Sequence, residues 1–356
     1  MTIALFRAFP DPYRQSMRVY ADQLRRGLSA LVPAGDVIHE WALPDARLAP
    51  PLARYWDQYV RYQRYVRGRA ADVNHIVDHG YGHLAYSLPR DRTVVTFHDA
   101  VVVRVPGVSW RTRLALRHSL RAMRRVARVI TASRAARDDF LELVDYPPDH
   151  VAVVPLGIDA AFRPPADRES VRRRLGLTRP TVLQVGHTQV YMNVPRMLAA
   201  FEHLVNRLGV DAQLVRVGDP LGPDHLAFVD RHTLASRVTQ IGRVSTEGLR
   251  EAYGAADVLL YAPLYAGFGL PPLEAMACGT PVVCSNRGSL PEIVGDAATI
   301  VDPLDSPGMA EAVAHLLTDE RARAACAACG RRHAAAFTWD ATARSVLGVY
   351  REIAGA

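Results

Sequence analysis

Short β-branched and apolar runs recur along the whole 356-residue chain, separated by stretches with helical periodicity. This alternation is the strongest constraint on the fold. Neighbouring parallel strands need a crossover, and a helix laid on the sheet face is the usual one. A first series comprises Ile3–Phe6, Val37–Trp41, Val73–Val77, Thr93–Phe97, Val129–Thr131 and Val151–Val154. A second comprises Thr181–Val185, Gln213–Val217, Val238–Ile241, Val258–Tyr261, Val282–Cys284 and Thr299–Val301. Between them lies FRPPADRESVRRRLGLTRP, with a Pro-Pro step, many charges and a helix stop at Gly176, which reads as a linker region. The expected organisation is α/β, with two doubly wound, Rossmann-like parallel-sheet domains at 1–165 and 166–335. A last amphipathic helix at 336–356 packs back toward the first domain. An open parallel sheet binds ligands beyond the carboxyl ends of its strands, so the loops there are where chemistry is sought.

Composition narrows the function classes. No run is long enough to span a bilayer, and the first apolar stretch is too short for a signal peptide. Four cysteines in a chain of this length do not make a disulfide framework, so a cytoplasmic location is expected. All 43 basic residues are arginine, a coding bias of the kind a GC-rich bacterial genome produces. Residues 1–165 carry 24 arginines against 16 acidic residues, a net +8, while residues 166–356 are close to neutral at −1. The first half is therefore the one that would meet an anionic partner or surface.

The segment GFGLPPLEAMACG follows the strand Val258–Tyr261 and leads into a helix expected over Pro272–Cys278, ending at Gly279. Gly267 and Gly269 let the backbone approach a ligand, and the prolines set the first turn. Uncapped N–H groups from Gly267, Phe268, Gly269 and Leu270 would then point at an anion such as phosphate. Glu274 is suited to accepting hydrogen bonds from sugar hydroxyls beside those phosphates. An ordinary strand–turn–helix is the alternative.

This segment and its surroundings resemble the retaining glycosyltransferases of family 4, which have the GT-B fold, two such domains facing each other across a cleft. VLQVGHTQVYMNVPRMLAAF is similar to the first strand and helix of their donor domain, including Gly186. IGRVSTEGLREAYGAADVLLYAP with the Gly-rich segment is similar to the donor-binding core, and NRGSLPEIVGDAATIVDPLD to the part that follows. In the first half TVVTFHD, RVITASRAARDDF and VAVVPLGIDAAFRP occur in the family's order. The resemblance implies transfer of a sugar from a nucleotide-diphosphate sugar (GDP, UDP or dTDP) to a small-molecule, glycan or lipid-linked acceptor. It also implies retention of anomeric configuration, no cofactor and no required metal, an acceptor-binding first domain and domain closure over the substrates.

The chain departs from the family at three polar positions. In the Glu-x7-Glu motif the second Glu, a ribose ligand, is Glu274, but the first stands at Ala266. An Arg-Lys pair that neutralises the diphosphate is matched by Tyr191 and Met192. One lost donor to a developing oxyanion typically costs 10²–10³ in rate. Three explanations stand: compensation by Arg14, Arg196 or Arg243; an unusual donor, as in antibiotic or other secondary metabolism; or a catalytically degenerate nucleotide-binding relative.

In the first half, His98 directly follows Thr93–Phe97, and the resemblance places the matching histidine against the donor sugar. With Arg14 in the stiff loop FPDPYRQSM it forms the candidate catalytic set. His79, Tyr81 and His83 follow the strand Val73–Val77 and read either as acceptor contacts or as satisfied loop residues. His75, His79 and His83 have metal-ligand spacing only on a helix, which the strand pattern opposes, so no metal site is expected. RYWDQYVRYQRYVRGR and WRTRLALRHSLRAMRRVARV are basic and amphipathic, read either as solvated faces or as a peripheral membrane contact. No nucleic-acid-binding motif accompanies the charge. Cys326 and Cys329, set among alanines without a second pair, read as packing residues.

Overall fold

The computed structural model describes residues 1–9, 15–46, 51–105 and 109–355. Arg14, one of the two candidate catalytic residues, lies outside the described residues. The chain divides into two compact units, Met1–Gly157 with Trp339–Ala356, and Ile158–Thr338.

The first unit holds a parallel six-stranded sheet in the order β2-β1-β3-β4-β5-β6. Its strands are β1 Thr2–Phe6, β2 Val37–Trp41, β3 Val73–Ile76, β4 Thr93–Phe97, β5 Arg128–Thr131 and β6 Val151–Val153. β3 and β4 are buried at every position, as in a parallel sheet covered on both faces by helices, and the polar Asn74, His75 and Thr96 among them are all hydrogen-bonded. The helix Trp339–Ala354 belongs to this unit and lies against the helix Gln15–Leu31 at Gly27. A Cβ at Gly27 would sit 2.6 Å from that of Ala343, so the small residue sets how closely the helices approach. Tyr350 on the same helix bonds His75 Nδ1 at 2.5 Å, while Thr96 meets Nε2 at 2.7 Å.

The second unit has the order β12-β11-β10-β7-β8-β9, also parallel. Here β7 is Thr181–Gly186, β8 Gln213–Gly218, β9 Val238–Gly242, β10 Val258–Tyr261, β11 Val282–Ser285 and β12 Thr299–Val301. Residues 158–165, expected in the first domain, are packed parts of this unit. Phe162 lies edge-on to Tyr253 at 5.9 Å, and Pro165 closes on Gly254, where a Cβ would come within 2.3 Å. The unit accordingly begins at Ile158, whose N–H donates to Phe337 O at 3.1 Å.

Strand order fixes where each sheet can bind. The chain lays down β1 and β2, then crosses to the other side of β1 to place β3; likewise it runs β7, β8, β9, then places β10 on the far side of β7. Each reversal leaves a crevice at the carboxyl ends, between the loops after β1 and β3 and between those after β7 and β10.

Candidate functional site

In the second unit the loops after β7 and β10 are joined directly. Leu264 N–H donates to Tyr191 O at 2.7 Å, and the buried Asn193 donates from Nδ2 to Ala262 O at 3.0 Å and Pro303 O at 2.7 Å. Asn193 takes φ +58°, a conformation asparagine tolerates better than most residues, and starts the helix Val194–Glu202. The loop before the helix Leu270–Ala277 is pinned from behind. Ser289 donates its N–H and its hydroxyl to Ala266 O, each at 3.0 Å, and the hydroxyl also reaches Phe268 O at 2.8 Å. Gly288, at φ +60°, permits this approach, since a Cβ there would lie 2.4 Å from Ala266 O.

The helix begins at Leu270, two residues before the expected start, behind Gly269 at φ +113°. Pro271 and Pro272 fall inside its first turn and carry no N–H, so Gly269 and Leu270 are the leading amides that can face an anion. Glu274 therefore sits two residues further into the helix than expected. Tyr253 donates to its Oε2 at 2.9 Å, and among the described residues no donor meets Oε1. Burial pushes the Glu274 carboxyl up to about 7, Tyr253 opposes that shift, and the negative charge of Asp159 adds to it. The same burial, reinforced by Glu274, holds the Tyr253 phenol protonated, so Tyr253 remains a donor.

The positions of the missing Arg-Lys pair have a local explanation. Met192 is buried and packs its Cε over Gly186, where a Cβ would meet it at 2.6 Å. Tyr191 Oη lies 2.8 Å from His187 Nε2, and His187 Nδ1 accepts the Gln189 N–H at 3.3 Å. The acceptor role of Nδ1 puts the ring proton on Nε2. Of the cations expected to compensate, Arg243 holds Asp219 through Nε at 3.0 Å and Nη2 at 2.9 Å, at the carboxyl ends of β8 and β9. Arg196 is exposed, and its Nη1 donates to Leu304 O at 3.0 Å. The sequence reading missed Arg216, whose side chain is 1% exposed at the end of β8. Its visible signal was an arginine inside the apolar strand QLVRVG. Nothing local in the sequence marked Tyr253 or Ser289.

In the first unit, His98 follows β4. Its Nε2–H donates to Val77 O at 2.8 Å, which makes Nδ1 the acceptor nitrogen. Its own N–H donates to His79 Nδ1 at 3.2 Å, and Tyr20 meets the ring edge-on at 5.0 Å. His79 is thus a support for His98. Asp99 Oδ1 accepts from Val101 N–H, so it holds the loop, and Val77 O fixes the His98 tautomer.

The acceptor roles expected of Tyr81 and His83 do not survive the geometry. His79–Ser87 is a tight helical turn, with Tyr81 1% and His83 0% exposed. Tyr81 Oη accepts the Phe9 N–H at 3.1 Å. His83 spends Nε2 on Gln58 O at 2.9 Å and Nδ1 on Ser119 at 3.3 Å, and burial holds its ring down at about 4. Among the described residues no group of three or more His, Cys, Asp or Glu could hold a metal ion, and no helix is long and apolar enough to cross a membrane.

Two doubly wound sheets with a pinned Gly-rich loop and a carboxylate beside it define the class: the chain belongs to glycosyltransferase family 4 and is a glycosyltransferase with the GT-B fold. The family described as Glycosyl transferases group 1 matches residues 167–333, and Glycosyltransferase Family 4 matches residues 15–162. Among relatives, the O-antigen chain mannosyltransferase B of Escherichia coli is 31% identical over 268 residues, 73% of this chain and 70% of that protein. The MMP alpha-(1->4)-mannosyltransferase of Mycolicibacterium hassiacum is 28% identical, covering 82% of this chain and 74% of its own. Sucrose-phosphate synthase from Thermosynechococcus elongatus superposes with a TM-score of 0.77 at 23% identity over 99% of this chain and 98% of that one. Anabaena HepE, solved in complex with UDP-glucose, gives 0.74 at 17% identity over 100% and 98%.

Proposed function

We propose that the protein is a retaining glycosyltransferase that takes its sugar from a nucleoside-diphosphate donor held by the second unit. The carrying observation is Glu274, on the helix that follows the β10 loop: one carboxyl oxygen is held by Tyr253 and, among the described residues, no donor meets the other. A ribose diol would donate to that oxygen and favour the carboxylate, while the Gly269 and Leu270 amides face the phosphates. His98, with Nδ1 as acceptor, takes a hydroxyl of the transferring sugar, and His79 holds it in place. The two relatives described above carry mannosyltransferase names, so a mannosyl donor to a glycan acceptor is the first to test. The resemblance implies that transfer needs no metal and that turnover persists in a chelator. Calorimetry with UDP, GDP, ADP and dTDP, then a donor-turnover assay read by anomeric NMR couplings, tests the reading. Nucleotide binding without turnover of any donor would identify a degenerate binding protein instead.

Ala266 supports a second reading, a secondary-metabolite enzyme with an unusual donor. A methyl group, 8% exposed, stands where the family carries a carboxylate, leaving room and no charge beside the sugar. Ready turnover of common hexose donors would refute it. A cytoplasmic enzyme acting on lipid-linked acceptors would also use the surface of the helix Trp110–Met123. Trp110 and Leu114 are 69% and 59% exposed there, beside exposed Arg111, Arg117 and Arg121. Sedimentation with anionic vesicles, lost in Leu114→Glu, tests that contact.

A further inference from the structure

Arg216 is the largest fully buried side chain among the described residues, and none of its direct partners is a carboxylate. Nη1 donates to Gln184 Oε1, Nη2 to Gly186 O at 3.1 Å and Nε to Asp219 O at 3.0 Å. The guanidinium thus ties the carboxyl end of β7 to that of β8, where the backbones of Gly186 and Gly218 touch; a Cβ on Gly218 would lie 2.1 Å from Gly186 O. The Asp219 carboxylate is already held by Arg243. Asp219 is thus the one acid that acts on Arg216 among the described residues, and its carboxylate pairs with Arg243 instead, so the Arg216 charge has no carboxylate of its own. Burial draws the Arg216 proton affinity down to about 10, so the charge persists at neutral pH. His187, first in the loop after β7, feels both arginines and Asp219; burial and the arginines hold it below its ordinary value, so it adds no charge in the unliganded protein.

A buried ion costs several kcal/mol, and an apolar residue of similar volume commonly serves stability as well or better. An arginine with neutral partners therefore suits a ligand more than a core. We propose that Arg216 is a positioning residue for donor binding, supplying from beneath the β7–β8 edge the fixed positive charge for a diphosphate that positions 191 and 192 lack. The inference rests on the nucleotide-sugar reading above and assigns its charge balance. Arg216 acts through the Gly186–His187 backbone it holds and through its field, and Asp219 attenuates that field.

The test is the ratio of nucleoside-diphosphate to nucleoside affinity, measured by calorimetry with UDP against uridine and GDP against guanosine. This ratio reports the phosphate interaction and is insensitive to a general loosening of the fold. In Arg216→Met it falls about 10²-fold, the effect of one charge on a dianion roughly 10 Å away at an effective permittivity of roughly 20. In Arg216→Lys, which keeps the charge, it stays within about threefold. In Asp219→Asn, which removes the attenuating carboxylate, it rises several-fold. An unchanged ratio in folded Arg216→Met overturns the proposal, as does an unchanged or lower ratio in Asp219→Asn if the Met variant does not fold. Failure of every diphosphate to bind the unaltered protein would instead remove the donor reading itself.

Discussion

Glu274→Gln isolates the cost of keeping an acid inside the second unit. The carboxyl titrates near 7 in the folded protein against an ordinary value of 4.5. Below pH 4.5 both folded and unfolded forms hold the proton and the group contributes no penalty. As pH rises the unfolded chain ionises first, and stability is lost at up to 1.4 kcal/mol per unit until the folded carboxyl ionises near 7. The full loss is about 3 kcal/mol above neutrality. The substituted glutamine keeps the Tyr253 hydrogen bond through its amide oxygen and has no proton to lose. The variant should therefore match the unaltered protein below about pH 4 and exceed it by up to about 3 kcal/mol at pH 8. All four tryptophans lie in the first unit, so urea unfolding is followed by far-ultraviolet circular dichroism and by amide exchange at Ala252–Ala255, with tryptophan emission as the control. The same variant should bind nucleoside diphosphate at least tenfold more weakly, because a ribose diol finds an amide in place of a carboxylate. A stability difference that does not change with pH would refute the titration argument.

Other outcomes follow from the same contacts. The first unit has the opposite acid dependence: burial holds His75 near 3 and His83 near 4, so tryptophan-monitored stability should fall below pH 6.5, and His75→Phe should flatten that slope. Ser289→Ala strips support from two loop carbonyls, and should cost about 1–3 kcal/mol and weaken nucleotide binding measured by calorimetry. Gly269→Ala forces φ +113° on a residue with a Cβ, 2.6 Å from Leu290 Cδ2, and should abolish nucleotide binding while the first unit melts unchanged. His98→Ala should lower turnover about 10²–10³-fold with nucleoside-diphosphate affinity intact; an equal loss in both would contradict its place beside the sugar.

The strands were legible because each is short, rich in β-branched or apolar residues and set off by polar helical stretches, and Gly176, expected as a helix stop, takes φ +68° after the helix Arg168–Arg174. The Gly-rich loop and Glu274 were legible because they are contiguous. What stayed hidden depends on partners far apart in the chain. Tyr253 reaches Glu274 across 21 residues, Arg216 reaches Gln184 across 32, and Ser289 holds carbonyls 21 and 23 residues away. His83 illustrates the reverse problem. It follows a strand end, as an acceptor ligand would, yet Gln58 and Ser119 enclose it from two other segments.

The two prolines at the head of the Leu270 helix have a consequence for the end of the catalytic cycle. A helix tip stripped of two donors grips an anion less firmly than a full set of amides would, so on the donor reading proposed above a nucleoside diphosphate should leave it the sooner. Fresh donor carries the same diphosphate and is held less firmly too, so quicker release of the by-product comes with weaker capture of the next donor.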